Sequence, residues 1–165
     1  MDSNYNVTPI GVIHTPHRKG APAPIQPSVA EGSEGVIEIF SRYREGLSDL
    51  RGFDRIWVLF WMERAKPWEL KVIPYRDTVP RGIFATRAPS RPNPIGLSAL
   101  KLLAVDIEAG RLQVADVDIF DGTPIIDIKP YVPEFDSYPE AKAGWLDEVK
   151  EKRRLSDDRF LSPTE

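Results

Sequence analysis

Hydrophobic and polar positions alternate along this chain in short runs, and for most of its length the period is two rather than 3.6. The clearest run is Arg55 to Met62, RIWVLFWM, with Ile56, Val58, Phe60 and Met62 on one face and Trp57, Leu59 and Trp61 on the other. Apolar residues on both faces predict a central covered strand or the wall of a barrel. Asn6 to His14, NVTPIGVIH, predicts a first strand that is bent or at an edge, because a Pro-Gly step interrupts it. Gly35 to Phe40, Leu70 to Tyr75, Gly82 to Thr86, Arg111 to Phe120 and Ile125 to Val132 supply further strands, the last two separated by an Asp121-Gly122 turn. Tyr43 to Leu50 reads as one or two helical turns.

Between the first two strands, Thr15 to Gly32 carries Pro16, Pro22, Pro24 and Pro27, too many for regular pairing. An irregular stretch of that length inside a compact domain is usually functional or mobile. No crossover helix separates the strands, so a parallel α/β sheet is disfavoured and an antiparallel barrel or sandwich is favoured. At the other end, Ser137-Tyr138-Pro139-Glu140 matches a capping box, and Ala141, Trp145 and Val149 recur at four-residue spacing. That pattern predicts a closing helix, with a polar tail fraying after Ser156. The fold class expected is therefore mainly β, a small antiparallel barrel with a C-terminal helix and a long Pro-rich loop. Residues 1–140 would form the barrel, and 141–165 the helix and tail.

Composition narrows this picture. The 165 residues are enough for one domain, and 41% hydrophobic with 28% charged residues is a globular balance. Sixteen prolines argue against a helical bundle. With no cysteine, thiolate metal sites and cysteine nucleophiles drop out. His14 and His17 alone are too few for a zinc site, so no metal is expected. The polar start Met1 to Asn4 is unlike a signal peptide, and no apolar run approaches the ~20 residues of a membrane helix. A cytoplasmic location is the default. A net charge of −3 announces no global affinity for nucleic acid.

Charge is nevertheless segregated. Arg81, Arg87, Arg91 and Lys101 fall in a stretch with no acidic residue between Asp77 and Asp106. Such a segment suits an anion or nucleic-acid surface, and equally a solvated loop paired with some of the 25 acids. Within it, Arg91-Pro92-Asn93-Pro94-Ile95-Gly96 holds an asparagine between two prolines. This fixes the Asn93 backbone, either to aim its amide or simply to make a rigid turn. Asp121-Gly122-Thr123-Pro124 is a turn whose amides can approach a ligand, and Asp127 with Lys129 shares one strand face as candidate inward polar positions. No G-x-G-x-x-G and no Walker A sequence is present, so nothing supports a Rossmann or P-loop site.

PIGVIHTP (9–16), LRGFDRIWVLFWM (50–62), GIFATRAPSRPNPIGLSALKLLAVD (82–106) and DIFDGTPIIDIKPYVP (118–133) follow one another in an order that resembles the TsaA-like domain of the TrmO family. The resemblance covers roughly residues 6 to 140 and is to the short, single-domain form. It implies a small β-barrel that binds S-adenosylmethionine, usually as a homodimer, and methylates N6 of a threonylcarbamoylated adenosine beside the anticodon of certain tRNAs. Carried over by position, the cofactor pocket would draw on Gln26, Met62, Glu63, Arg87, Leu97, Asp121, Gly122, Thr123 and Pro124. An acceptor for the N6 hydrogen is also needed, and side-chain chemistry nominates Asn93, with Asp127 competing. Arg91 and Lys101, assisted by Arg81, would then hold tRNA phosphates. Two other functions stay open: a methyltransferase of the same barrel acting on a small molecule, and a non-catalytic module that binds the cofactor or a protein.

Overall fold

A computed structural model describes residues 5–18, 20–150 and 152–162; the polar start at Met1 to Asn4 lies outside them. Among the described residues eight strands form: β1 Gly11–His14, β2 Glu34–Ile39, β3 Arg55–Trp61, β4 Lys71–Val72, β5 Arg81–Gly82, β6 Ile95–Asp106, β7 Arg111–Ala115 and β8 Pro124–Pro130. Six of them close an antiparallel barrel in the order β1-β2-β7-β6-β3-β8, and β4 with β5 makes a separate two-stranded ribbon. Closure removes the sheet edges, so every barrel strand is paired on both sides.

The alternation that predicted the barrel also decides what fills it. Ile56, Val58 and Phe60 of β3 point inward and are buried, while Trp57, Leu59 and Trp61 face out and are half-buried. Ile13, Ile37, Leu100, Leu112, Val114 and Ile125 complete an interior with essentially no solvent exposure. Their short branched side chains suit the curved inner wall of a small barrel.

Four expectations are corrected. The longest strand, β6, arises from a segment the hydrophobic pattern did not assign to any strand; it is held in register between β3 (Arg55↔Lys101 to Trp61↔Ile95) and β7. The strand expected to reach Phe120 ends at Ala115, because Asp116 adopts φ +61° and turns the chain. Arg55 Nη2 donates to Asp116 Oδ2 at 2.9 Å and fixes that turn.

The closing helix does not form. One α-helical turn spans Pro133–Asp136, so Ser137 ends a helix rather than starting one. A 3₁₀ turn then covers Gly144–Glu148. Gly144 sits at φ +62°, in the left-handed region that interrupts a right-handed helix, and Pro139 removes a further donor. Nor is the tail free. Ile25 N–H donates to Arg154 O at 3.0 Å, Ser156 N–H to Ala23 O at 2.8 Å and Ser162 N–H to Arg64 O at 3.0 Å. Phe160 is 5% exposed and joins Ile83, Ala88, Val72 and Tyr75 in a second, smaller core outside the barrel. The Pro-rich loop, the β4–β5 ribbon and this C-terminal strap together cap one end of the barrel.

Candidate functional site: a cavity at the capped mouth of the barrel

Where barrel and cap meet, a cavity of about 320 Å³ opens. Its walls come from separate stretches of chain: the Pro-rich loop, the end of β3, residues 86–91, the start of β6, the turn after β7, and the strap. Gly96 makes room for it in a specific way. A Cβ at that position would meet the Phe60 ring at 2.2 Å, so the ring lies flat against the strand because residue 96 has no side chain.

At the cavity wall, Ser98 Oγ donates to Asp118 Oδ1 at 2.7 Å. The Asp118 carboxyl is pushed up to about 6, first by burial, against the opposing pull of the Ser98 hydrogen bond and of the Arg87 charge. Asp118 therefore changes charge in a range where carboxylates ordinarily do not. Arg87 Nη1 donates to Gln26 Oε1 at 2.5 Å, tying the FATR segment to the Pro-rich loop across the opening. Phe60, Met62, Ile119 and Phe120 give the cavity apolar surface, and Glu63, Arg87 and Asp118 give it charge of both signs. With Arg64 and Arg91 also in the wall, the lining suits a ligand that carries both apolar and charged parts.

Of the nine residues expected to hold a cofactor, Gln26, Met62, Glu63, Arg87, Leu97 and Thr123 line the cavity. Asp121 turns its carboxylate away, accepting from Thr15 N at 3.1 Å and from Arg18 Nη1 at 3.5 Å. Gly122, at φ +78°, and Pro124 shape the turn without lining the cavity. Asn93 is exposed beside the rim, where Pro94 O accepts from Met62 N at 2.7 Å. Asp127 lies on the outer wall, because its cross-strand partner Leu59 faces out; it pairs with Lys129 Nζ at 2.8 Å. The expectation that Asp127 and Lys129 point inward is thus corrected by register.

The three expected phosphate-binding residues do not share one surface. Arg91 Nη1 donates to Thr86 O at 2.9 Å and to Ile83 O and Ala88 O at 3.3 Å, bracing the loop. Lys101 is exposed on the outer face of β6, and Arg81 lies on the cap, paired with Asp77 at 2.7 Å. The two histidines also diverge. His17 Nε2 lies 2.8 Å from Ser33 Oγ and from Val117 O, whereas His14 is near Glu38 and Asp121. Among the described residues no group of three or more His, Cys, Asp and Glu is arranged to hold a metal ion. No described helix is long and apolar enough to cross a membrane.

Sequence reasoning missed Ser98, Asp118, Ser156 and Leu161. Asp118 carried a signal, standing three residues before Asp121 in DIFDGTP, but its partner is 20 residues away. Nothing local distinguishes Ser156 or Leu161.

The fold is a closed antiparallel barrel with a mixed polar and apolar cavity at its mouth, an architecture outside the Rossmann class. The chain belongs to the tRNA-methyltransferase O N-terminal domain family, whose model matches residues 12–137. It is 46% identical over 156 residues to a probable S-adenosyl-L-methionine-binding protein of Pyrococcus abyssi, covering 93% of this chain and 84% of that one. To the tRNA (adenine(37)-N6)-methyltransferase of Escherichia coli it is 33% identical over 151 residues, covering 87% of this chain and 64% of the relative. A crystal structure of TrmO from Pseudomonas aeruginosa superimposes with a TM-score of 0.70 at 34% identity, covering 86% of this chain and 62% of that one. The chain thus spans somewhat under two thirds of the length of the solved TrmO and of the bacterial methyltransferase.

Proposed function

We propose that this protein is an S-adenosylmethionine-dependent methyltransferase acting on N6 of an adenosine in tRNA, the threonylcarbamoylated adenosine beside the anticodon. The observation that carries the reading is convergence. Gln26, Met62, Glu63, Arg87, Leu97 and Thr123, far apart in sequence, meet in one cavity, in a chain whose relatives are named for S-adenosylmethionine binding and tRNA adenine methylation.

The cofactor supplies a methyl group already activated on a sulfonium. The protein's own task is then alignment and electrostatics. Arg87 suits the cofactor's carboxylate, and Glu63 and Asp118 offer negative charge to its ammonium and sulfonium. Phe60, Met62 and Phe120 cover the nucleoside. Asn93, at the rim between its two prolines, is our candidate to accept the N6 hydrogen, ahead of Asp127 on the outer wall. Asn93→Ala is expected to lower turnover at saturating cofactor; near-normal turnover would remove it from that role.

The reading extends to a homodimer in the cytoplasm, where tRNA is modified. Trp61 opposite Ile95, Leu59 opposite Leu97 and Trp57 opposite Ala99 form an outward apolar face on β3 and β6, suited to a second copy. Leu97 belongs both to that face and to the cavity wall. Sedimentation velocity should give a dimer that Leu59→Lys dissociates.

The main test is transfer of labelled methyl from S-adenosylmethionine to total tRNA, with calorimetry of cofactor binding by wild type and Arg87→Ala. Tight wild-type binding, lost at least tenfold in the variant, together with label at an N6-methylated nucleoside, is the expected result. Binding without transfer to any tRNA would leave a cofactor-binding module; no binding at all would refute the reading.

A further inference from the structure

The family match ends at residue 137, yet the strap that follows builds a second feature of the cap. Between the strap and the β4–β5 ribbon lies an open crevice of about 750 Å³. Arg76, Arg81, Lys150, Arg153 and Arg159 line it, against Asp77 and Glu148. With Asp157, which pairs with two of these cations, five cations face three acids, a local excess of +2 in a chain whose net charge is −3. Asp157, within the strap, holds Arg153 Nη1 at 2.6 Å and Arg159 Nη2 at 2.8 Å, so two guanidiniums are oriented rather than loose.

Trp145 joins this crevice to an adjoining slot. Its Nε1 donates to Ala85 O at 2.8 Å, and the Arg81 guanidinium lies 5.1 Å from its ring centroid. The same ring lines the slot with Phe84 and Leu146, which are 77% and 38% exposed. Gln26 and Arg87, which bridge the cavity mouth, line that slot as well. A basic crevice, an aromatic slot and the cofactor cavity therefore follow one another without a break.

Phosphates are attracted by guanidinium and ammonium groups, and unpaired bases stack on exposed aromatic faces. The sequence of surfaces matches a single strand whose backbone crosses the crevice and whose base lies over the slot. We propose that the C-terminal strap forms the docking groove for the RNA strand that carries the acceptor nucleoside, with Lys150 and Arg81 at its phosphates and Phe84 under a base. The assignment rests on the methyltransferase reading above for the direction of the track, and it deepens that reading by naming where the RNA lies. It differs from the sequence expectation in using Arg81 with strap residues rather than with Arg91 and Lys101.

The test is binding of a fluorescein-labelled tRNA anticodon stem-loop to the full chain by anisotropy, across a salt series. Lys150→Glu should weaken binding about tenfold and flatten the slope of log affinity against log salt by about 0.7. Phe84→Ala should weaken it about fivefold or more, the range for one stacked base. Arg111→Glu, at the opposite end of the barrel, should stay within about twofold of wild type if binding is local rather than set by net charge. Calorimetry should return wild-type cofactor affinity for Lys150→Glu, which also reports its fold. RNA affinity unchanged in both groove variants, an equal loss in Arg111→Glu, or no binding by wild type would overturn the groove. Wild-type protein that binds the cofactor and methylates tRNA while the groove variants bind RNA normally would refute the groove alone. Failure of cofactor binding would refute the wider reading.

Discussion

The barrel and its cap are built on different terms. In the barrel, six strands close on themselves and bury Ile13, Ile37, Ile56, Val58, Leu100 and Leu112 to near-zero exposure. The cap has a two-pair ribbon, isolated bridges at Pro24↔Leu155 and Ala65↔Leu161, and one small core around Ile83, Ala88 and Phe160. Most of the free energy of folding therefore resides in the barrel, while loops and short ties hold the cap's arginines and aromatics. The cavity lies at the seam. A rigid wall positions Ser98 and Asp118, and a less stable cover can open without unfolding that wall.

Substitutions in the two regions should separate accordingly. The largest effect is expected from Leu112→Ala, at about 2–5 kcal/mol of global stability, because the fully buried site leaves a void inside a closed barrel. Urea unfolding followed by tryptophan fluorescence and by circular dichroism should shift together. Gly96→Ala comes next: its Cβ meets the Phe60 ring, and overpacking of this kind costs about 1–3 kcal/mol. It should also reduce cofactor affinity, since Phe60 can yield only toward the cavity it lines or the core behind it.

Titration sharpens the contrast, because the two regions respond to acid with opposite signs. Asp118 in the folded protein titrates at about 6, against ~3.9 for an unfolded aspartate. The folded state binds that proton more tightly, so stability falls as pH rises from about 4 to about 6 and is level above. Asp118→Asn should remove the decline and raise stability at pH 8 by about 2 kcal/mol. Asp157 is held down to about 2, chiefly by its hydrogen bond from Arg159. Its contribution is present above ~3.9 and is lost as pH falls toward 2. Acid should thus release the strap below about pH 4, seen as faster proteolysis near residues 152–160, after the Asp118 penalty has been relieved between about pH 6 and 4. The Asp157 effect is the smallest of the set.

The same division governs what could be read in the sequence. RIWVLFWM announced a wall of the barrel because strand alternation is a local signal. IGLSALKLLAVD did not, since Leu, Ala and Lys favour helix as readily; β6 is a strand because β3 and β7 flank it. Ala141, Trp145 and Val149 have helical spacing, but Gly144 and Pro139 break the path between them. The residues expected to hold a cofactor were named through resemblance rather than pattern, and six of those nine line the cavity. Asp118 with Ser98 needed barrel closure to meet, and Ser156 and Leu161 reach the cavity only because Phe160 docks the strap.

The central claim, that a separately held cap completes a cofactor site on a self-sufficient barrel, is tested most directly by Phe160→Ala. Its calorimetric affinity for S-adenosylmethionine should be measured beside its urea midpoint. The account predicts at least a tenfold loss of cofactor affinity with the main unfolding transition moved by less than about 1 kcal/mol, because the lost core lies outside the barrel. Wild-type affinity, or a transition lowered by the about 3–5 kcal/mol of a buried Phe→Ala in a single cooperative core, would contradict it.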